Sequence, residues 1–513
     1  MKQIKFFIYI KKKKEAIFLI ITFFFFIFTM LFQLTHSALW GDEWIEYHYS
    51  QASIYTGELY RKIISTFQPP LYNFIMHFWL KLGLSILWFR LFNVVIGFIS
   101  GIFLFLTVKK LSNKYIGYIT CISLAVCYHW VYCIQECSEY ALMLLFLFIA
   151  FYFYIECNNS FTYWKMGLFI LSNIGAIYSQ YGSVFIIFPL LLLFFINNVL
   201  QTKNMKRKII VVIFYFLSFC IFAIPLYIFF LKEQLKNNEI TNHTIQFTLE
   251  LCKDIPFALG QILEYFYHLD STGSYSTGVW AWIGGALTIY LFLISFELLK
   301  KKHSTFQTRS LIFILWFSYI SHYFLTKLHI YAMIHPNQSE GLFSRYSYFY
   351  LPMFFIILPV LFYEAFNTNL ILSQKKIILL ISGASILCLF MSFYSLLGNW
   401  YKAKDNLYTN IWLENKGWQD TTYLLGVAKD GFHYYVTHSK TYQEGYLDNA
   451  TDKIDINNLP SKFWVWRTSG NDLWQEIIDK ADTLGYNITI YDDSGYYGQL
   501  AYCFINSEDL DNK

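Results

Sequence analysis

Three carboxylates follow the first apolar segment of the chain at once, within the stretch "LWGDEWIEYHY" at residues 39–49. Asp42 and Glu43 are adjacent, and Glu46 follows them within one helical turn. A carboxylate among aromatic side chains at the edge of a hydrocarbon layer is partly desolvated, which can tune its pKa for proton abstraction. This pattern predicts a general base or a metal ligand. The alternative is that the acids only mark a helix end in an interfacial belt of Trp and Tyr.

Two further segments carry polar groups that could bind a substrate. In "QECSEYALMLL", Glu136 and Glu139 are one helical turn apart and can face one cavity, or else form the wet end of a helix hairpin. In "GLFSRYSYFYLPMFF", Arg345 begins an apolar span, where its guanidinium could bind a phosphate through two hydrogen bonds. The alternative for Arg345 is snorkelling to the membrane surface.

The segment "TFQPPLYNFIMHFWLKLG" starts with an extended Pro69-Pro70 pair and continues with apolar and aromatic residues at helical spacing. Its helical part has about 14 residues, which is too short to cross a bilayer comfortably. We therefore expect a helix that lies along the membrane surface.

The composition is that of a polytopic membrane protein. Of the 513 residues, 56% are hydrophobic, 21% aromatic and only 14% charged, against about 25% charged in a typical soluble domain. The net charge of +5 hides an asymmetry, because residues 398–513 carry 10 Lys and Arg against 17 Asp and Glu. The basic excess of the preceding part lies in short loops between apolar runs, so it does not indicate a nucleic-acid partner. The nine cysteines lie mostly in apolar segments and do not indicate a disulfide framework.

The apolar runs predict about eleven transmembrane helices, because each needs about 20 apolar residues to cross the bilayer. The predicted spans are residues 16–35, 86–108, 115–133, 140–157, 164–181, 183–199, 209–231, 279–299, 310–327, 345–366 and 377–398. With a cytoplasmic N-terminus, every cluster of Lys and Arg in the short loops falls on the cytoplasmic side. The external loop 36–85, the "QECSEY" motif, Arg345 and the acidic C-terminal segment then share the extracytoplasmic side.

The chain therefore divides into a membrane module at residues 1–398 and a predicted extracytoplasmic α/β domain at residues 399–513. In the second part, "KFWVWRTS" and "YNITIYDD" alternate like strands, and "YYGQLAYCFI" would add a last strand. Between the first two, "NDLWQEIIDKADTLG" has helical spacing, with Asn471 and Asp472 at its start and Gly485 at its end.

Taken in their order along the chain, the motifs resemble those of the GT-C superfamily of membrane glycosyltransferases. Within it they resemble family 39, which includes the protein O-mannosyltransferases and the lipid A aminoarabinose transferases. Asp42-Glu43 matches the family's Asp-Glu pair after the first span. The other matching positions are Pro69, Pro70, Leu71 and Tyr72 for Pro-Pro-Leu-Tyr, Arg90 for the second-span motif, Gln135, Glu136 and Tyr140 for Gln-Glu-x-Arg-x-Tyr, and Arg345 and Tyr346 for a late Arg-Tyr. "KGWQDTTYLL" near Trp418 resembles the helix that opens the family's external domain.

The resemblance implies that a sugar passes, with inversion, from a polyprenyl-phosphate-linked donor to an acceptor hydroxyl on the extracytoplasmic side. Asp42 would be the base, with Glu43 assisting it. Contacts to the donor phosphate or the substrates are implied at Gln68, Glu136, Glu139, Tyr140, Arg345 and Tyr346. Gln68, Ser138 and Ile45 stand where family members carry basic residues, and these departures concern the phosphate contacts.

The resemblance leaves the sugar, the acceptor (a glycan, a lipid or a protein) and the need for a divalent cation open. Asp42, Glu43 and Glu136 are the carboxylates that such a cation would use. No Gly-rich phosphate loop is found, so we expect no nucleotide cofactor. In a bacterium the protein would lie in the cytoplasmic (inner) membrane. The rival hypotheses are a transporter or flippase of a lipid-linked glycan, whose polar residues should lie near mid-bilayer, and an inactive membrane scaffold.

Overall fold

A computed structural model describes the chain except for some terminal and loop segments. It leaves out residues 1, 36–38, 40, 237–278, 301–304, 328–344, 368–392, 394–396, 398–404, 426–427, 468–472, 492–498 and 506–513. Side chains are also left out at residues 2–14, 41, 279–289, 326–327, 345–347, 405–406 and 428–430. The chain forms two compact units, of which the first holds residues 1–32, 49–84 and 88–397, and the second holds residues 33–48, 85–87 and 398–513.

The first unit is helical throughout its described part. Five of its helices are long and apolar enough to cross a membrane, namely Ile86–Leu111, Glu139–Asn159, Tyr181–Leu200, Met205–Gln234 and Tyr348–Asn367. The other helices are Lys2–Leu31, Glu58–Ile64, Leu71–Leu80, Lys114–Ala125, Tyr128–Gln135, Tyr163–Ser179, Val279–Lys300, Phe306–Lys327 and the 3₁₀ helix Arg345–Tyr350. A membrane protein built mainly of apolar helices is thus what the structure shows.

Every predicted span up to residue 366 contains helix, although the first helix ends at Leu31 and the predicted span at residue 35. The last predicted span, 377–398, lies almost wholly outside the described residues. The total of about eleven spans stays a prediction. One predicted span is broken, because the chain leaves the helix at Cys127 in an extended conformation, and Lys114–Ala125 and Tyr128–Gln135 meet at 64°. The break delivers the "QECSEY" motif to the end of a separate short helix.

The described loops that carry basic residues meet at one end of the first unit. Glu156 is paired with Lys165 at 2.8 Å and with Lys110. The two asparagines that follow bond other loops, Asn158 accepting from Asn197 at 2.7 Å and Asn159 accepting from Gln307 at 2.6 Å. Lys114 is likewise paired with Glu15 of the first helix. The loops therefore share one end, and its assignment to the cytoplasm stays a prediction.

The second unit is built on a five-stranded sheet in the order β2-β1-β3-β5-β4. The strands are Thr421–Leu425 (β1), Ala450–Thr451 (β2), Lys462–Arg467 (β3), Asn487–Ile490 (β4) and Gln499–Phe504 (β5). β1 pairs in parallel with β2 and β3, and β5 pairs antiparallel with β3 and β4. The helix Leu473–Thr483 packs on one face, and the helices Asp405–Glu414 and Ala428–Thr437 pack on the other. The three predicted strands and the predicted helix between them are confirmed.

One expectation for this unit is wrong. The "KGWQDTTYLL" segment forms a 3₁₀ turn at Gly417–Gln419 followed by β1, and the helix lies earlier, at Asp405–Glu414. The helix cannot continue because Lys416 adopts the left-handed conformation at φ 54°. Gly417 is required next to it, since a Cβ there would lie 2.2 Å from the Trp412 indole.

Candidate functional site

Asp42 and Glu43 lie in the first turn of the helix Gly41–Gln51, which we call the carboxylate helix. Acidic side chains are stabilised there by the positive end of the helix dipole. Glu43 and Glu46 are only 2% and 1% exposed, whereas Asp42 is partly exposed. Of the two predicted catalytic carboxylates, Asp42 is therefore the one more open to a substrate. The border between the two units crosses this helix after His48.

Within the second unit, the carboxylate helix packs against the helix Ala428–Thr437, which we call the tyrosine helix. The Tyr434 ring meets Trp44 and Tyr47 edge to face, with ring centroids 5.5 and 5.8 Å apart. The hydroxyl of Tyr434 is hydrogen-bonded to Tyr47, and burial raises the pKa of the Tyr434 phenol. The adjacent Tyr435 hydroxyl accepts a 2.6 Å hydrogen bond from the backbone N–H of Leu39.

In the first unit, the helix Leu71–Leu80 follows Pro69-Pro70 and is fixed by polar contacts. The Asn73 amide donates to the Ser50 hydroxyl at 3.4 Å, and Nδ1 of His77 lies 3.0 Å from the Ser50 carbonyl oxygen. Both contacts hold the end of the carboxylate helix. The sequence predicted a surface helix here, whereas the structure buries Tyr72, Asn73 and His77 almost completely.

Asn93 joins three of the sequence motifs. It lies in "WFRLFN", accepts a 3.4 Å hydrogen bond from the Tyr72 hydroxyl, and is fully buried. Its amide donates to the backbone carbonyls of Glu136 at 2.6 Å and Ser138 at 3.4 Å. Asn93 thereby joins the "ECS" connection, between the helices Tyr128–Gln135 and Glu139–Asn159, to the helix Leu71–Leu80.

The "QECSEY" motif itself is buried. Gln135 donates to the carbonyls of Thr29, Met30 and Phe32, at 2.9, 3.2 and 3.0 Å, and so caps the end of the first helix. Glu136 and Glu139 are 4% and 2% exposed. Ionisable groups this deep at a helix junction of a membrane protein are candidates for substrate contact.

The 3₁₀ helix Arg345–Tyr350 lies beside this motif. The Tyr348 ring packs edge to face on Tyr140 at 5.3 Å, and the Tyr350 hydroxyl lies 2.8 Å from Nδ1 of the buried His322. The backbones of Arg345 and Tyr346 occupy the first two positions of this helix, and their side chains lie outside the described set. The structure thus brings the segments of Tyr140 and Arg345 together.

Gln68 is held through its backbone. Its carbonyl oxygen accepts a 2.7 Å hydrogen bond from the side chain of Gln234, which also accepts one from the Tyr181 hydroxyl at 2.8 Å. Gln234 is fully buried at the end of the long helix Met205–Gln234. This contact ties the loop before Pro69 to the adjacent membrane helices.

An apolar groove of about 570 Å³ is lined in part by Phe67, which precedes Gln68 in the chain. Its walls are the helices Tyr163–Ser179, Tyr181–Leu200 and Met205–Gln234, and its lining includes Phe67, Tyr178, Tyr181, Tyr215, Phe219 and Leu231. The hydroxyls of Tyr178 and Tyr215 donate to the backbone carbonyls of Phe222 and Leu191, so they do not face the groove as free polar groups. The groove is suited to an extended hydrocarbon chain.

Sequence reasoning missed four residues that build these sites: Asn93, Gln234, Tyr434 and Tyr435. Asn93 and Gln234 had a signal, since each is an uncharged polar residue in or at the end of an apolar run. The tyrosine pair had none, because tyrosine is abundant throughout this chain. Among the residues that the structure describes, no group of three or more His, Cys, Asp and Glu side chains could hold a metal ion.

Residues 67–228 match the family model of the dolichyl-phosphate-mannose-protein mannosyltransferases. No curated protein matches the chain. Among solved structures, the chain is similar to ArnT from Cupriavidus metallidurans in the apo state, with a TM-score of 0.43, and bound to undecaprenyl phosphate, with a TM-score of 0.41. Each shares 10% identity over 96% of this chain and 98% of that chain. The family-model match alone, on a segment that holds Gln68, Asn93 and Glu136, confirms the resemblance to the GT-C membrane glycosyltransferases that the motifs predicted.

Proposed function

We propose that the protein transfers a sugar from a polyprenyl-phosphate-linked donor to an acceptor hydroxyl on the extracytoplasmic side of the membrane, with inversion at the anomeric carbon. The family match over residues 67–228 supports glycosyl transfer with a lipid-phosphate-linked sugar. A lipid-linked donor also agrees with a sequence that has no phosphate-binding loop for a nucleotide.

The observation that carries the proposal is the apolar groove whose lining includes Phe67. Phe67 contributes to the groove lining, and Gln68 and Pro69 follow it directly in the chain. A polyprenyl chain is hydrocarbon throughout, so it would gain free energy by filling an apolar groove of this size. With the prenyl tail in the groove, the phosphate head would reach the polar segment of Gln68, and the sugar would extend beyond it.

In the proposed mechanism, Asp42 takes the proton of the acceptor hydroxyl as the oxygen attacks the anomeric carbon. The bond between the anomeric carbon and the phosphate oxygen breaks on the opposite face, and the phosphate leaves with the electron pair. Arg345 would stabilise the charge that grows on this phosphate. The buried Glu43 would orient Asp42, and Gln68, Glu136, Glu139, Tyr140 and Tyr346 would line the donor and substrate sites.

The first experiment measures transfer of radiolabelled sugar from a panel of polyprenyl-phosphate sugars, using membranes that contain the wild type, Asp42→Asn or Glu43→Gln. We expect Asp42→Asn to lower the rate by about 10²–10⁴-fold, the usual contribution of a general base. Glu58→Gln is the matched control, because Glu58 is a half-exposed carboxylate on the next helix along the chain.

Full transfer by both Asp42→Asn and Glu43→Gln would show that the catalytic assignment is wrong. If no donor supports transfer by folded wild-type protein, the reaction itself is refuted. The transporter and the scaffold would then be the remaining hypotheses, and movement of the labelled lipid across the membrane would separate them.

A further inference from the structure

The carboxylate helix cannot stand alone. It has 11 residues, and isolated helices shorter than about 12–15 residues are marginal in water. One of its faces, formed by Glu43, Glu46 and Tyr47, is almost completely buried, and two of these three side chains are carboxylates. The orientation of Asp42 therefore depends on what packs against this helix.

Within the second unit, two consecutive tyrosines hold it. Tyr434 contacts the helix in its first and second turns, through Trp44 and Tyr47. Tyr435 accepts the backbone N–H of Leu39, two residues before the helix begins. Tyr435 therefore fixes the segment that leads into the carboxylate helix. Tyr434 fixes the rotation of that helix about its axis.

The tyrosine helix is itself anchored rigidly. Towards the sheet, Phe432 lies between the indoles of Trp412 and Trp466, with ring centroids 4.9 and 5.0 Å apart. Phe432 and Val436 are fully buried against the sheet. Aromatic pairs at these distances add to the stability that burial provides, so the tyrosine helix is a firm support.

We propose that Tyr434 and Tyr435 are positioning residues for the transfer reaction, which set the orientation of the Asp42-Glu43 turn from the C-terminal part of the chain. The inference rests on the proposed function, since it assigns a role to residues that support the proposed base. It also assigns a catalytic purpose to the sheet of the second unit: the sheet fixes the base and needs no substrate contact of its own.

The test compares kcat and the donor KM of purified full-length variants. In Tyr434→Ala the ring contacts are lost, and we expect kcat to fall about 10- to 100-fold, the cost of misplacing a reacting group by about 1 Å. The donor KM should stay within about twofold, because this change removes orientation and no donor contact. Tyr434→Phe keeps the ring and should restore kcat to within about threefold of the wild type, and Tyr435→Phe should fall between these two variants.

Ile478→Ala is the control for general loosening, since Ile478 packs on the other face of the sheet, in the helix Leu473–Thr483. It should lower the unfolding temperature and leave kcat near the wild type. The inference is overturned if Tyr434→Ala keeps the wild-type kcat, or if it raises the donor KM with unchanged kcat. It is also overturned if Ile478→Ala loses as much kcat as Tyr434→Ala.

Hydrogen–deuterium exchange of the amides at residues 42–48 gives a readout that needs no transfer assay. We expect faster exchange in Tyr434→Ala than in Tyr434→Phe or Ile478→Ala. Unchanged exchange would refute the positioning contact. If exchange is faster in Tyr434→Ala but the wild-type protein transfers no sugar, the positioning contact stands. The proposed function is then refuted, and so is the catalytic purpose of the contact.

Discussion

At the scale of single residues, the buried amide of Asn93 holds the first unit's motifs together. It is the shared partner of Tyr72 and of Glu136 and Ser138, which come from two other parts of the chain. An amide suits this role because it carries one acceptor and two donor hydrogens without a charge that would have to be desolvated.

Asn93→Leu should destabilise the protein, because the buried carbonyls of Glu136 and Ser138 lose the hydrogen bonds that the Asn93 amide donates. We expect a loss of about 1–3 kcal/mol in the free energy of unfolding, measured by denaturation in detergent micelles. Ser100→Ala on the same helix is the control, since the Ser100 hydroxyl donates to the Ile96 carbonyl one turn earlier and joins no second segment among the described residues. Equal stability of the two variants would contradict a joining role for Asn93.

The residues that could be predicted from the sequence are those whose chemistry is unusual for their surroundings. Charged residues next to apolar runs stand out in a sequence, and this holds for Asp42, Glu43, Glu136 and Glu139. Tyr434 could not be found in this way. Its role comes from packing against Trp44, which depends on a contact between distant parts of the chain.

At the scale of elements, the helix Met205–Gln234 is shaped to form a wall of the groove. It widens into π turns at Phe219–Ala223 and Tyr227–Leu231, on both sides of Pro225. Proline cannot donate the usual backbone hydrogen bond, and the looser turns accommodate the freed carbonyl. The same stretch supplies Phe219, Ala223 and Leu231 to the groove lining.

Ala223→Trp should block the groove. We expect the donor KM to rise about tenfold with kcat little changed, because the indole occupies space that the prenyl chain would fill and touches no reacting group. The measurement is the initial rate as a function of donor concentration in proteoliposomes. Ile221→Trp is the matched control, because Ile221 is 56% exposed on the same helix and is absent from the groove lining. Equal KM values for the two variants would mean that the groove does not bind the donor.

The elements were largely predictable because apolar runs of about 20 residues and alternating strands are local patterns. The break at Cys127 was not, since no proline or glycine marks it in "LAVCYHW". The helix near Trp418 was misplaced for a different reason: Gly417, which leaves room for the Trp412 indole, is a local signal for a helix end that the prediction did not use.

At the scale of the whole chain, the motifs and the basic loops are separated by the length of a membrane helix. Glu139 begins a helix that ends at Asn159, and its 21 residues span about 30 Å, the thickness of the hydrocarbon core. The "QECSEY" motif lies at one end, and the ion pairs of Glu156 lie near the other. This separation agrees with chemistry at one membrane surface and basic loops at the other.

Cysteine labelling tests the predicted orientation. Tyr55→Cys places a thiol at a 95% exposed position in the predicted external loop, and Met205→Cys places one at a 66% exposed position in a basic loop. In sealed cells, a membrane-impermeant maleimide should label Tyr55→Cys only, and permeabilisation should add Met205→Cys. The unmodified protein gives the background from the native cysteines. The reverse pattern would invert the proposed topology.

The bond between Leu39 and Tyr435 joins residues that are 396 positions apart. A ribosome adds roughly 5–20 residues per second, so the carboxylate helix waits roughly 20–80 s after its own synthesis before its support exists. During that interval the first membrane helices are already in place while the Asp42 turn is unsupported. The nascent chain should therefore be inert until the tyrosine helix has been made, which delays the proposed transfer until the second unit can fold.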